Sequence, residues 1–270
     1  MRVFDEKICE NGRLTCYICE ESPEMPNYVR DAMLVLPGGA YAMCSDREAE
    51  PIVKKYLAAG MNVFCLRYSC AEKAGGFMPL IEASYAMKYI RDHAKEFNIN
   101  VNRVFAVGFS AGGHLCASLG TFWCAPWLKE KLGADFPEGI NKPNGTVLAY
   151  PVISAVEGSH RPSMINIIGK PEPTKEEFER YSVELHVGAQ TAPCFIWSTS
   201  DDNAVPIVNS IRMADKLAAA GMQFELHIWP HGPHGLALAE EETSVGFPEM
   251  INESAAEWIP LSIKWMRGLK

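Results

Sequence analysis

Ser110 stands in RVFAVGFSAGGHL, residues 103–115, with Gly108 two positions before it and Gly112 two positions after. A short apolar run leads into it and a helix-like segment leads out. Two kinds of chemistry put glycines between a strand and a helix. One cradles a phosphate and needs G-x-x-x-x-G-K-S/T or G-x-G-x-x-G. Here no Lys follows the glycines, and the spacing is G-x-S-x-G-G. The other holds up a serine as a nucleophile, on a turn so tight that the residues two before and two after must be small. That turn also sets the serine at a helix N-terminus, where free N–H groups favour developing negative charge. A packed turn around an inert serine has the same spacing, so the partners decide.

A serine hydroxyl is a poor nucleophile at neutral pH and needs a base, usually His, oriented by a carboxylate. On such a turn the chain order is Ser, acid, His. STSDDNAVP offers Asp201 and Asp202 after one apolar run, and WPHGPHGLAL offers His231 and His234 after another. The order fits, and each group follows its own strand, where functional groups gather in open α/β sheets. Spacing alone leaves both members of each pair open. Acyl transfer also needs donors for an oxyanion. LPGGAYA, residues 36–42, carries Gly38 and Gly39, which let the backbone approach a substrate closely. The N–H groups of Gly39 or Ala40, with that of Ala111, are the expected donors. Tyr41, Phe109, Trp123 and Trp197 are candidates to line the acyl or alcohol side, although each residue type is equally at home in a core.

Alternating strands and helices must position these groups. VFDEKI and LTCYICE flank ENGR and read as a hairpin, with Asn-Gly as a two-residue turn. Strands are expected over 32–37, 61–68, 103–108, 145–152, 194–200 and 223–230. Helices are expected over 47–60, 79–97, 111–121 and 206–221, with a last one that Pro260 kinks or starts. Ser45 and Glu48 have capping-box spacing before the first helix. Leu80, Ala83, Met87 and Ile90 make one apolar stripe on the second. About forty residues separate the strands at 145–152 and 194–200, with a short helix over 173–182, which leaves room for a small cap over 154–190 and not for a large lid. The pattern predicts an α/β fold with a mainly parallel sheet covered on both faces. Without repeats or linkers, residues 1–270 read as one domain.

The 270 residues are 48% hydrophobic and 21% charged, enough to bury a sizeable core. The formal net charge is -8 with no basic run, so neither nucleic acid nor an anionic membrane is an expected partner. MRVFDEKICENGR lacks a signal-peptide core, and the nine cysteines are odd in number and scattered. Both point to free thiols in a cytoplasmic protein. Cys16 and Cys19 form a C-x-x-C inside a strand with no second pair, so neither metal nor redox use is expected of them.

With these pieces placed, the chain resembles the α/β-hydrolase superfamily. More narrowly it is similar to bacterial esterases near the hormone-sensitive-lipase group that include acetyl-xylan and related carbohydrate esterases. LPGGAY with SDRE, VGFSAGGHLCASL, AYPVIS, YSVELHV, FIWSTSDDNAVPIVNS and ELHIWPHGPHGLALA carry the likeness over most of the chain. The resemblance implies a Ser110–His234–Asp202 triad rather than one built on Asp201 or His231. It makes His114 a usual neighbour of the turn, for packing, hydrogen bonding or substrate contact. Pro37 replaces the oxyanion-loop His and Ala40 its last Gly, neither of which removes a backbone donor. Ser198 stands where many relatives have His. The implied activity is a cofactor-free serine carboxylester hydrolase that removes short acyl groups, acetyl first, from sugar or other small esters. An acetylated oligosaccharide is the implied substrate. An arylformamidase-like amide hydrolase on the same triad is the second reading, and a non-catalytic binding protein on this scaffold the third.

Overall fold

The computed structural model describes residues 1–25 and 28–269. Its strands are β1 (Arg2–Ile8), β2 (Gly12–Ile18), β3 (Arg30–Leu36), β4 (Asn62–Arg67), β5 (Ile99–Phe109), β6 (Thr146–Ala149), β7 (Cys194–Thr199) and β8 (Phe224–Trp229). They form one sheet in the order β1-β2-β4-β3-β5-β6-β7-β8. β1 and β2 pair antiparallel, as do β2 and β4, and every other pair is parallel. The segments after β3, β5, β6, β7 and β8 therefore all emerge at one edge of the sheet. That shared edge is what a multi-residue site needs from this sequence.

The main helices are α1 (Glu50–Ala58), α2 (Met78–Asp92), α3 (Ala111–Phe122), α4 (Pro126–Leu132), α5 (Arg161–Ile168), α6 (Lys175–Tyr181), α7 (Val208–Ala219), α8 (Glu241–Ser244), α9 (Glu253–Ala256) and α10 (Trp258–Gly268). Side chains along β5 alternate between two cores, as the pleat requires. Val104 and Ala106 join the core that holds Leu80, Ala83, Met87 and Ile90 of α2, together with residues of α3 and α7. Phe105, Val107 and Phe109 join the core built with Ile52, Val53 and Tyr56 of α1 and Trp258, Trp265 and Met266 of α10. The expected covering of both faces follows from this alternation.

Several boundaries differ from expectation for identifiable reasons. The hairpin pairs Ile8 with Gly12, so the turn holds three residues, Cys9, Glu10 and Asn11, and the positive φ falls on Cys9. Ser45 makes no capping bond; a short 3-10 turn over Asp46–Glu48 precedes α1, and Glu48 points inward instead. α2 ends at Asp92 rather than near 97, and β5 begins at Ile99, four residues before the expected start at 103. Pro260 sits in the first turn of α10, where a missing N–H has no partner to lose. The cap segment holds α5, α6 and a 3-10 turn over Val183–His186.

The turn after β5 rests on the two glycines that frame it. A Cβ on Gly108 would lie 2.0 Å from the Gly112 oxygen, and one on Gly112 would lie 2.1 Å from the Leu36 oxygen. Both obstacles are backbone and cannot swing away. Gly112→Ala is therefore expected to lower the unfolding free energy by ~3 kcal/mol, the upper range for overpacking. Gly268→Ala, which meets nothing within 4 Å, should stay within about 1 kcal/mol of wild type. Urea titrations of the two variants measure the difference.

Candidate functional site

Ser110 follows the last residue of β5 and precedes α3, with φ 52° and ψ -115°. A positive φ strains a residue that has a Cβ. Backbone bonds impose it: the Ser110 N–H donates to the Ala149 oxygen at 3.0 Å, and the Ser110 oxygen accepts from the N–H groups of His114 and Val152. The hydroxyl lies 2.8 Å from His234 Nε2. His234 Nδ1 lies 2.7 Å from Asp202 Oδ2. Asp202 Oδ1 accepts from the N–H groups of Ala204 and Val205, each at 2.9 Å. An ionised carboxylate only accepts, so Nδ1 of a neutral His234 carries the proton and Nε2 is free to accept from Ser110.

The alternative pair is also present. His231 Nδ1 lies 3.0 Å from Asp201 Oδ2, and the Gly232 N–H donates to Asp201 Oδ1. This pair is on the surface, with side chains 82% and 51% exposed, whereas the Asp202 side chain is 1% exposed. The His231 ring, first, and the Gly232 N–H hold the Asp201 carboxyl below its usual range, against a small burial effect. The two pairs run side by side, and only Asp202–His234 reaches Ser110.

The Gly-rich loop lies against Ser110. A Cβ on Gly38 would stand 3.1 Å from Ser110 Cβ. Gly39, Ala40 and Tyr41 all have positive φ, at 121°, 55° and 57°. The Ala42 and Met43 N–H groups fold back on the Gly39 oxygen, and the Ala40 oxygen accepts from Asn166 Nδ2 of α5 at 2.8 Å. The Gly38 N–H is already bonded to Glu48 Oε2. Among the described residues, the N–H groups of Gly39, Ala40 and Ala111 make no hydrogen bond. They are the free donors beside the serine.

The side chains expected to line a substrate pocket behave otherwise. Phe109 and Trp197 are wholly buried, so neither offers surface to a ligand. Phe109 packs edge-on against Trp258, and Trp197 lies between Tyr150 and Trp258. Trp123 is tied to the Gln190 oxygen through Nε1. Tyr41 is wholly buried and its hydroxyl donates to His114 Nδ1 at 2.8 Å; His114 Nε2 donates to the Tyr181 oxygen. Burial lowers the His114 pKa to about 4, partly opposed by the Tyr181 carbonyl, so the ring is neutral at pH 7 with both nitrogens engaged. It is a strut between the Gly38–Tyr41 loop and Tyr181 of α6, with no ring nitrogen left for a ligand.

Four residues that the sequence reading did not assign to the site help to build it. The Glu48 Oε1 accepts from the Tyr150 hydroxyl at 2.6 Å, and the Tyr150 oxygen accepts from the Ala237 N–H at 2.9 Å. Burial pushes the Glu48 carboxyl above its usual range, opposed by Tyr150, the Gly38 N–H and nearby His234. Asn166 holds the Ala40 carbonyl, as above. His160, half-buried before α5, donates or accepts at Ser163 Oγ; burial, then the charge of His234, lowers its pKa, opposed by Asp202. The sequence signals were the run SDRE, where Glu48 looked like a helix cap, and AYPVIS, which holds Tyr150.

Cys16 and Cys19 turn apart, bonding to the Leu14 and Met61 oxygens respectively. Among the described residues, no group of three His, Cys, Asp or Glu could hold a metal ion. No helix among them is long and apolar enough to cross a membrane.

Removing the Glu48 carboxylate leaves two buried donors, Gly38 N–H and Tyr150 O–H, unpaired. Each such loss is worth ~1–3 kcal/mol. Glu48→Leu is therefore expected to lower stability by ~3 kcal/mol, and Glu48→Gln, which keeps one acceptor, by less. Thermal denaturation of the two variants ranks them.

Known proteins resemble this chain in sequence and in fold. Endo-1,4-beta-xylanase B of Butyrivibrio fibrisolvens is 35% identical over 81% of this chain and 34% of its own. An acetylxylan esterase of Xylanibacter ruminicola is 30% identical over 95% of this chain and 50% of its own. The chain thus spans about a third to half the length of these curated relatives. The crystal structure of an acetyl ester-xyloside bifunctional hydrolase from Caldicellulosiruptor lactoaceticus superposes with a TM-score of 0.81 at 34% identity, over 95% of this chain and 87% of that one. The architecture is the α/β-hydrolase fold. The BD-FAE family profile matches residues 22–217, a span that holds Ser110 and Asp202 and stops short of His234. On that match, which takes in most of the sheet, the chain belongs to the BD-FAE family.

Proposed function

We propose that this chain, acting as a single domain, is a serine carboxylester hydrolase that removes short acyl groups, acetyl foremost, from sugar or other small esters. One observation carries the reading: an unbroken line of hydrogen bonds, 2.7 Å from Asp202 to His234 and 2.8 Å from His234 to Ser110. Free N–H groups of Gly39, Ala40 and Ala111 beside that serine support it.

In this reading the Ser110 hydroxyl attacks the ester carbonyl as His234 Nε2 takes its proton. Asp202 holds the imidazole in the required tautomer and offsets its charge once protonated. The oxyanion forms against the Gly39, Ala40 and Ala111 N–H groups, each worth ~3 kcal/mol in such a site. His234 then protonates the leaving alcohol, and water repeats the sequence on the acyl-enzyme. No step calls for a metal or organic cofactor. The likeness to a xylanase, an acetylxylan esterase and an acetyl ester-xyloside hydrolase favours a sugar alcohol and an acetyl group.

The adjacent Asp–His pairs make the residue assignment testable. Ser110→Ala is expected to lower kcat on the order of 10⁶-fold. Asp202→Asn should lower it by roughly 10⁴-fold. Asp201→Asn should keep most activity, because its carboxylate serves a surface pair. Steady-state kinetics on p-nitrophenyl acetate read all three, and a reversal of the two Asp variants would move the triad to Asp201.

For the acyl group, each methylene in an apolar pocket is worth ~1–3 kcal/mol. The kcat/KM is expected to fall roughly ten- to two-hundred-fold for the first methylene added, from acetyl to propionyl, along a p-nitrophenyl ester series. Acetate release from acetylated xylo-oligosaccharides tests the alcohol side. Preference for octanoate, or no acetate from any sugar ester, would leave only an unspecified serine hydrolase.

A further inference from the structure

The thiols that meet are not the pair adjacent in sequence. Cys44 Sγ and Cys70 Sγ are 3.7 Å apart, the one thiol–thiol contact among the described residues. Both point at the Tyr68 oxygen, at 3.9 and 3.3 Å. Both are partly exposed, whereas Cys16, Cys65, Cys116 and Cys194 are buried.

Their position in the chain gives the contact consequences. Cys44 immediately precedes Ser45, whose N–H closes the oxyanion loop on the Gly38 oxygen at 2.9 Å. Cys70 immediately precedes Ala71, whose N–H donates to the Tyr41 oxygen at 2.6 Å. The Tyr68 hydroxyl between them donates to the Pro37 oxygen. Each sulfur is thus one residue from a bond that holds the loop of Gly39, Ala40 and Tyr41.

We propose that Cys44 and Cys70 are a thiol-oxidation site, closed to a disulfide by small-molecule disulfides, and that the closure lowers turnover by shifting the oxyanion loop. The effect on turnover rests on the function proposed above; the bond itself does not.

The chemistry is thiol–disulfide exchange. The Cys44 thiolate attacks one sulfur of oxidised glutathione, forms a mixed disulfide and releases one glutathione thiolate. The Cys70 thiolate then attacks Cys44 Sγ and expels the second. Two protein thiols are oxidised, one small disulfide is reduced, and the two thiol protons pass to solvent or to the released thiolates. The first attack suits Cys44. The Cys70 thiol beside it, first, and the Arg67 guanidinium hold its own thiol below the usual range, against burial and the Glu82 carboxylate. Cys70, held up by Cys44 and by burial, follows as the resolving thiol.

Closure must bring the sulfurs from 3.7 Å to about 2.0 Å. The backbone around Cys44 and Cys70 has to absorb that difference. The nearby loop already has three consecutive residues at positive φ, so its N–H groups are exposed to the shift. A misplacement of about 1 Å at a reacting geometry can cost ~100-fold.

The test treats reduced protein with oxidised glutathione, alkylates the remaining thiols and maps the digest by mass spectrometry. The expected product is a peptide pair joined at Cys44 and Cys70, lighter by two hydrogens. The kcat on p-nitrophenyl acetate is expected to fall by about tenfold or more with KM little changed, and to return with dithiothreitol. Reduced Cys44→Ser and Cys70→Ser should match reduced wild type and lose the response. No Cys44–Cys70 peptide, a glutathione adduct that stays on Cys44, or a bridged enzyme with unchanged kcat would each overturn the proposal. An inactive reduced enzyme would instead count against the proposed function, and the peptide map would still decide the bond.

Discussion

The Glu48 carboxylate accepts from the Gly38 N–H and the Tyr150 hydroxyl, and the Tyr150 oxygen accepts from the Ala237 N–H. Three segments, after β3, β6 and β8, share that hydrogen-bonded centre. One carries the free N–H donors, one flanks the turn of Ser110, and one carries His234. The carboxylate is almost wholly buried, so its bonds are strong and its loss is expensive. Separate loops on separate strands cannot hold sub-ångström geometry by packing alone. A buried acceptor with directional bonds can.

That restraint matters because the site is strained. Ala40, Tyr41, Ser110 and Tyr150 all carry positive φ without being glycine. Each such residue stores ~1–3 kcal/mol, which surrounding structure has to offset. The offsets are visible. The Ser110 backbone is fixed by Ala149, His114 and Val152, and the Ala40 carbonyl by Asn166. The Tyr41 hydroxyl is fixed by His114, which in turn is fixed by Tyr181. The result points a hydroxyl at a base and leaves N–H groups unpaired beside it.

The small cap therefore takes part in the construction of the site. α5, which starts after His160, holds the Gly39–Tyr41 loop through the Asn166 bond to the Ala40 oxygen. Tyr181, at the end of α6, receives the His114 N–H and stacks on Phe77 with ring centroids 3.9 Å apart. A change in this segment would be felt by the free N–H groups of Gly39 and Ala40.

Local patterns fixed much of the outline from sequence alone. Gly108 and Gly112 announced the turn because only small residues fit there, and that requirement is readable within five residues. The α2 stripe and the β5 alternation announced two cores, because periodicity is local. The order of Ser110, Asp202 and His234 followed from strands that end at a common edge. Tertiary structure decided the rest. Spacing leaves Asp201–His231 and Asp202–His234 equally good pairs, and only the family resemblance favoured the second; in the fold that second pair is the one buried against Ser110. Glu48 had the spacing of a helix cap; it became the acceptor of Gly38 and Tyr150 because the 3-10 turn before α1 buries it. Phe109 and Trp197 looked like pocket walls, but the strand pleat turned both into core. Side-chain type and spacing set what a residue is able to do. Which partner it meets depends on segments tens to hundreds of residues away, and only the packed sheet brings those together.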